Sequence, residues 1–330
     1  MARNNLRSLL SEARVPGASM AVLHQGAVSL CSAGLANIET EAAVNADTIF
    51  DAASLSKPVF AYAVLQLVDA GHLSLDTKLS EVVPEYVVDD PQARTATVAH
   101  ALAHTTGLPN WRSAEVPLRT NHAPGTRFSY SGEGFTWLQR TVETITGQPL
   151  ETLMHRLVFE PLGMTASSYV WQATFEDNYA APHDVAQKVG AKRKPQEAKA
   201  AFSLHTTALD YSRFLQAVLA GARLQSSTAA RWLAPQIAIR AGDPEADTRV
   251  AWGLGWGLEP EQGTFFQWGD NDQGRHKAFA MGSISEQVAV VILTNGFNGM
   301  SIVPELVGEV LRGRHPCFDW LGYERHGRPV

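Results

Sequence analysis

Apolar and polar positions alternate at both ends of the chain. "ASMAVLHQG" and "AVSLCSAGLAN" follow one another across Gln25-Gly26, a spacing that predicts a β-hairpin behind a short amphipathic helix in "MARNNLRSLLSEARVPG". Near the other end, "TFFQWGDN" (264–271) reads as a strand ending in a turn. "EQVAVVILTNG" (286–296) reads as a buried strand closed by Asn295-Gly296, and "GMSIVPELVGEVLRG" follows with helical periodicity. Between about residues 58 and 220 the period changes to that of helices punctuated by Gly and Pro: "VFAYAVLQLVDAG", "ATVAHALAHTTG", "GEGFTWLQRTVETITG", "LETLMHRLVFEPLG" and "TTALDYSRFLQAVLAG". No internal repeat or low-complexity tract interrupts this order. The pattern predicts an α/β domain built from residues 1–57 and 221–330, with a mainly helical domain, 58–220, inserted between them. A small-molecule site is expected in the cleft between the two.

Composition narrows the partners. A chain of 330 residues with 45% hydrophobic and 18% charged residues can bury a large core. Its net charge of −6 and its lack of a long basic run argue against nucleic acid or an anionic membrane as partner. The most basic stretch, "KVGAKRKPQEAK" (188–199), contains Pro and Glu and is expected to be a solvated loop. Cys31 and Cys317 lack metal-like spacing and are expected to be free thiols. The N-terminal segment has neither the apolar core nor the A-x-A site of a secretory signal, and no apolar run reaches the ~18 residues that span a bilayer. A soluble, cytoplasmic protein without metal or cofactor is the expectation, its oligomeric state open. "GEG" and "GLG" lack the strand-to-helix context of a phosphate loop.

One stretch carries a chemical oddity. "FDAASLSKPVFAYAVLQLVDAGHLSLD" (50–76) is apolar on nearly every helical face, so the helix should be buried, yet it places Ser54 and Lys57 near its start. Residues i and i+3 share a helix face, and Pro58 fits only the first turn, so the helix should begin at about Ser54. Burial and the positive end of the helix dipole both favour the neutral amine of Lys57, which can then take the proton of the neighbouring hydroxyl. Helix capping by Ser54 and snorkelling by Lys57 would explain the same residues without chemistry.

Two further segments decide between these readings. "PGTRFSYSGEGFTWLQRTVE" (124–143) and "FFQWGDNDQGRHKAFAM" (265–281), taken with S-L-S-K, resemble the three motifs of the serine β-lactamase and penicillin-binding-protein superfamily. The likeness is closest to its class C β-lactamase, D-stereospecific peptidase and esterase branch. "LAHTTGLPNW", "EPLGMTASSY", "SLHTTALDYSRFL", "GWGLGW" and "VVILTNG" extend it over nearly the whole chain. The resemblance implies an antiparallel sheet flanked by helices, with the helical domain inserted. It implies Ser54 as acylated nucleophile, Lys57 as its proton acceptor, and Tyr130 as the phenol that shares the serine proton and protonates the leaving group. The backbone N–H groups of Ser54 and Asp270 would form the oxyanion hole. Trp111, Gly132, Gln267, Trp268 and Gly269 would line the substrate site, although core packing alone would equally explain Trp268.

The departures from the family pattern bear on substrate. The second motif, usually Y-x-N, reads Tyr130-Ser131-Gly132. The third, K-T-G or H-x-G, reads Gln267-Trp268-Gly269. Gln267 can hydrogen-bond but carries no charge, so an anionic β-lactam loses the cation that would hold its carboxylate. Arg275, His276 and Lys277 are the candidates to replace that charge. His104, with neither a carboxylate partner nor a metal spacing, is expected to be a satisfied structural histidine. A serine hydrolase acting on an ester or amide is the leading expectation. A β-lactamase or DD-peptidase, an acyltransferase using the same acyl-enzyme, and an inactive relative acting as a binding protein are the alternatives.

Overall fold

The hairpin at Gln25-Gly26 forms where expected: β1 (Gly17–His24) pairs in antiparallel register with β2 (Ala27–Asn37). The computed structural model describes residues 3–239, 249–271 and 275–323. The remaining strands in chain order are β3 (Ala42–Ala43), β4 (Phe50–Asp51), β5 (His205–Thr206), β6 (Ile237–Ala238), β7 (Ala251–Trp252), β8 (Gly257–Glu259), β9 (Thr264–Asn271), β10 (His276–Ser283) and β11 (Val288–Thr294). Among the described residues, nine of these strands form one sheet in the order β3-β2-β1-β11-β10-β9-β8-β7-β6. Its paired strands are antiparallel, and the N-terminal hairpin joins the C-terminal strands through β1 and β11. β4 and β5 pair separately.

The helices are α1 (Arg3–Ala13), α2 (Ser56–Asp69), α3 (Leu79–Val82), α4 (Val98–Leu102), α5 (Gly132–Thr146), α6 (Leu150–Met154), α7 (Glu160–Leu162), α8 (Ala208–Ala220), α9 (Ser226–Trp232), α10 (Val303–Gly308) and α11 (Pro316–Leu321). β11 is buried along its whole length because both of its faces are covered. Val288, Val290 and Ile292 join a core with Leu6 and Leu10 of α1, Leu306 of α10 and Phe318 of α11. Ala289, Val291 and Leu293 point the other way, into a larger core with Phe214 and Val218 of α8 and residues 59–65 of α2. The period of two along one strand therefore assigns its side chains to two layers of helix.

The result is a mixed α/β architecture, a large antiparallel sheet flanked by helices. We propose the division into 1–57 with 221–330, and 58–220, as the domain boundary; α8, inside the second segment, packs on β1 and β11. Three local expectations need correction. The α-helix begins at Ser56, not Ser54, because residues Ala53–Leu55 form a tighter 3₁₀ turn. "LETLMHRLVFEPLG" is α6 and α7 joined by a π-helical segment, His155–Phe159, rather than one regular helix. The loop 188–199 is not wholly solvated: the guanidinium of Arg193 reaches the buried carboxylate of Asp51 at 3.0 Å. Neither Cys31 nor Cys317 forms a disulfide. Among the described residues no helix is long and apolar enough to cross a membrane.

Candidate active site

The chain turns sharply just before Ser54. Ala53 has φ +49°, a left-handed conformation that costs a residue bearing a Cβ about 1–2 kcal/mol. The turn is held from outside: the N–H of Ala53 donates to Asp51 Oδ1 at 2.9 Å. Burial alone would raise the carboxyl of Asp51, but Arg193 and the Ala53 N–H hold it below the usual carboxylate range. The phenols of Tyr211 and Tyr169 donate to the carbonyls of Leu55 (3.1 Å) and Ser56 (2.6 Å), fixing the first turn of the helix. Ser54 keeps partial exposure while its neighbours are buried. The strained conformation at Ala53 persists because the surrounding hydrogen bonds over-determine it.

Lys57, 1% exposed, sits one turn on. Its Nζ lies 3.0 Å from Ser54 Oγ and 2.7 Å from the carbonyl oxygen of Ala201. Burial lowers its pKa to about 7. Nζ donates to both oxygens, and as a free amine it can keep the N–H on Ala201 while its lone pair accepts from the Ser54 hydroxyl. Arg193, placed at Asp51, is the cation of the neighbouring network rather than a partner of Lys57.

Tyr130 closes the triangle. It precedes α5, whose N-cap Ser131 accepts from the Gly134 N–H at 2.9 Å. Its phenol hydrogen-bonds Ser54 and accepts from Gln267 Nε2 at 3.0 Å; burial pushes its pKa up, and these two contacts offset only part of that. Lys57 Nζ lies over the phenol ring, 4.8 Å from its centroid. His104 stacks on that ring with centroids 4.2 Å apart, and its Nδ1 accepts from the Ser131 N–H at 3.0 Å. Burial, reinforced by the charge of Lys57, holds this imidazole far below its usual range, so it stays neutral. It is only half satisfied, since its buried Nε2 has no hydrogen-bond partner.

β9 forms the opposite wall. A Cβ on Gly269 would stand 2.7 Å from the Ala52 carbonyl oxygen and 3.0 Å from the Ser54 nitrogen, so only glycine lets this strand touch the serine turn. Asp270 follows, with its side chain turned outward to Lys277. Gln267 is fully buried and also donates to the Trp268 carbonyl; its Oε1 has no partner. Trp268, half-buried, packs on Tyr130 at 4.9 Å and on Trp320 at 5.3 Å, so it braces the phenol from the core side. Of the candidate replacement cations, Arg275 lies against Gly190, His276 Nε2 is 3.0 Å from the Ala180 carbonyl oxygen, and Lys277 pairs with Asp270. Asp272, Gln273 and Gly274 of the third motif lie outside the described residues.

The structure thus brings Ser54, Lys57, Tyr130, Gln267 and Gly269 together. Trp111 lies against Gly132, two residues beyond Tyr130. Sequence reasoning missed Ala201, which contributes a backbone carbonyl, and the Asp51–Arg193–Asn271 cluster. In that cluster Asn271 Nδ2 donates to Asp51 Oδ1 (2.7 Å) and to the Phe202 carbonyl (2.9 Å), and Arg193 Nη2 donates to the same carbonyl (2.9 Å).

Comparison with known proteins gives the family and the fold. The family described as Beta-lactamase matches residues 2–309, and the chain belongs to it. It is 29% identical to "Penicillin-binding protein 4" of Amycolatopsis lactamdurans, across 92% of this chain and 87% of that protein. It is 32% identical to "Esterase EstB" of Burkholderia gladioli in an alignment that covers 53% of this chain and 52% of that one. The solved structure of a β-lactamase/D-alanine carboxypeptidase from Pseudomonas syringae superposes with a TM-score of 0.80 over 95% of this chain and 98% of that one. At 17% identity that last likeness shows the fold alone.

Proposed function

We propose that the protein is a serine hydrolase of neutral esters or amides, acting through an acyl-enzyme on Ser54. The observation that carries this reading is the pair of hydrogen bonds that link Ser54 to Lys57 and to Tyr130, with an uncharged Gln267 at the phenol. Free Lys57 takes the Ser54 proton as Oγ bonds to the substrate carbonyl carbon. The electron pair displaced onto the carbonyl oxygen is met by the N–H groups of Ser54 and Asp270. Collapse of that intermediate breaks the bond to the leaving group. The leaving oxygen or nitrogen takes its proton from Tyr130, which recovers one from the Lys57 ammonium. Water then attacks the acyl carbon, giving its proton to the same relay, and Ser54 is released.

Gln267 supports a neutral substrate. Its Nε2 supplies the phenol with a donor but offers a substrate carboxylate no charge, and hydrogen bonds to charged groups are worth about 1.5–3 kcal/mol. The partial likeness to an esterase points the same way. The longer likeness to a penicillin-binding protein favours the second reading, a peptidase or β-lactamase using the same acyl-enzyme. The test is kcat/KM for p-nitrophenyl acetate beside a chromogenic cephalosporin. The ester should lead by more than about tenfold. An equal or larger value for the cephalosporin would promote the second reading.

A further inference from the structure

The glycine at the end of the second motif is explained by its neighbour. Gly132 opens α5 in ordinary helical conformation, so its backbone does not require glycine. Space does: a Cβ there would lie 2.4, 2.6 and 2.8 Å from Cη2, Cζ3 and Cζ2 of the Trp111 indole. Trp111 occupies the volume into which a side chain at 132 would project.

The indole is held there from both sides along the chain. Asn110 Oδ1 accepts from the Gly132 N–H at 2.9 Å, and the Asn110 carbonyl accepts from the Glu133 N–H at 3.0 Å. Arg112 pairs with the buried carboxylate of Glu133 at 2.6 Å, and the Pro109 carbonyl accepts from Ser131 Oγ at 2.8 Å. Residues 109–112 are therefore strapped to the start of α5. Across the cleft the Trp111 and Phe202 rings stand nearly perpendicular, with centroids 5.3 Å apart. Phe202 follows Ala201, the acceptor for Lys57, and its own carbonyl is fixed by Arg193 and Asn271. The tryptophan so bridges the Tyr130 side of the cleft and the Lys57 side, yet 47% of its surface is exposed. An exposed aromatic face held by a rigid backbone presents large contact area at little cost in conformational entropy.

We propose that Trp111, interlocked with Gly132 and edged by Phe202, is the specificity-determining surface of the cleft. It receives a planar or bulky apolar group attached to the scissile carbonyl, beside the volume that a side chain at 132 would fill. The substrate class is an ester or amide of an aromatic or similarly apolar acid. This rests on the Ser54 acyl-enzyme reading.

Two measurements test it. The first is the ratio of kcat/KM for p-nitrophenyl phenylacetate to that for p-nitrophenyl acetate, which share a leaving group. Trp111→Ala should lower this ratio at least about threefold, the scale of one aromatic contact, and Trp111→Phe should restore most of it. The second is thermal stability. Gly132→Asn should lower the melting midpoint in the wild-type background, and by clearly less in the Trp111→Ala background, because the clash is then gone. Covalent labelling by a fluorophosphonate is read on every variant. If Trp111→Ala labels at Ser54 but keeps the wild-type ratio, the proposal fails while the acyl-enzyme reading stands. Equal destabilisation by Gly132→Asn in both backgrounds refutes the interlock. If the wild-type protein does not label, both readings fall.

Discussion

Replacing Lys57 by Met should abolish activity and, at neutral or acid pH, stabilise the fold. Burial lowers the Lys57 pKa from 10.5 to about 7, which corresponds to about 5 kcal/mol of penalty on the charged form. The sign follows from linkage. Between pH 7 and 10.5 the unfolded chain holds a proton on this amine that the folded chain has released, so this group makes stability rise with pH across that window. Below pH 7 both states are protonated and the penalty is complete; by pH 10 it has shrunk to roughly 1 kcal/mol. Met removes the penalty but leaves the Ala201 carbonyl without its donor, a loss of about 1–3 kcal/mol. The net gain at pH 6 is about 2–4 kcal/mol, which for a chain of this size raises Tm by roughly 3–6 °C. At pH 10 the gain should vanish or reverse. Calorimetric Tm differences between the two proteins at pH 6 and pH 10 check this, since groups common to both cancel. A variant less stable than wild type at pH 6 would refute the desolvated-amine account. The same pKa requires wild-type ester hydrolysis to climb as pH rises through about 7 and then level off; His104, held neutral, adds no second limb there.

The remaining predictions concern the walls of the site. Gly269→Ala forces a Cβ to 2.7 Å from the Ala52 carbonyl oxygen and pushes β9 off the serine turn. Its kcat on esters should fall by about tenfold to a thousandfold, the scale of a misplaced oxyanion donor, and a kcat within twofold of wild type would contradict that role. Gln267→Lys places an ammonium beside Tyr130, and the ratio of cephalosporin to ester kcat/KM should rise about tenfold. An unchanged ratio in a folded variant would show that charge at 267 does not set substrate class. Arg193→Met leaves the buried Asp51 carboxylate without its cation and should cost about 3–5 kcal/mol, read as a Tm drop of roughly 4–7 °C. A drop under 1 °C would mean that Asp51 does not depend on Arg193.

What could be read from the sequence follows the range of the interactions involved. Ser54 and Lys57 are three residues apart on a strongly apolar segment, and the hairpin at Gln25-Gly26 is set by its own turn, so both were legible. β11 announced itself as an unbroken apolar run because it is buried on both faces. The start of α2 was misplaced by two residues because the strained turn at Ala53 depends on Asp51, and Asp51 depends on Arg193, 142 positions away. A basic loop gives no local sign that one of its guanidinium groups meets a buried carboxylate. Ala201 was invisible because it acts through its carbonyl, which every residue has. Gly132 was legible as a departure from the family motif, but its cause, the Trp111 indole, lies 21 positions earlier on a segment without regular structure. β6, β7 and β8 are two or three residues long, too short to carry an alternating pattern of their own.

The central claim is that Ser54 becomes acylated. Peptide mass spectrometry after treatment with a fluorophosphonate tests it most directly, run beside Ser54→Ala at the same concentration. The account predicts one adduct per chain, located on Ser54, formed faster as pH rises through about 7 and absent from Ser54→Ala. Stoichiometric labelling that persists in Ser54→Ala, or an adduct mapped to another residue of the wild-type chain, would contradict it.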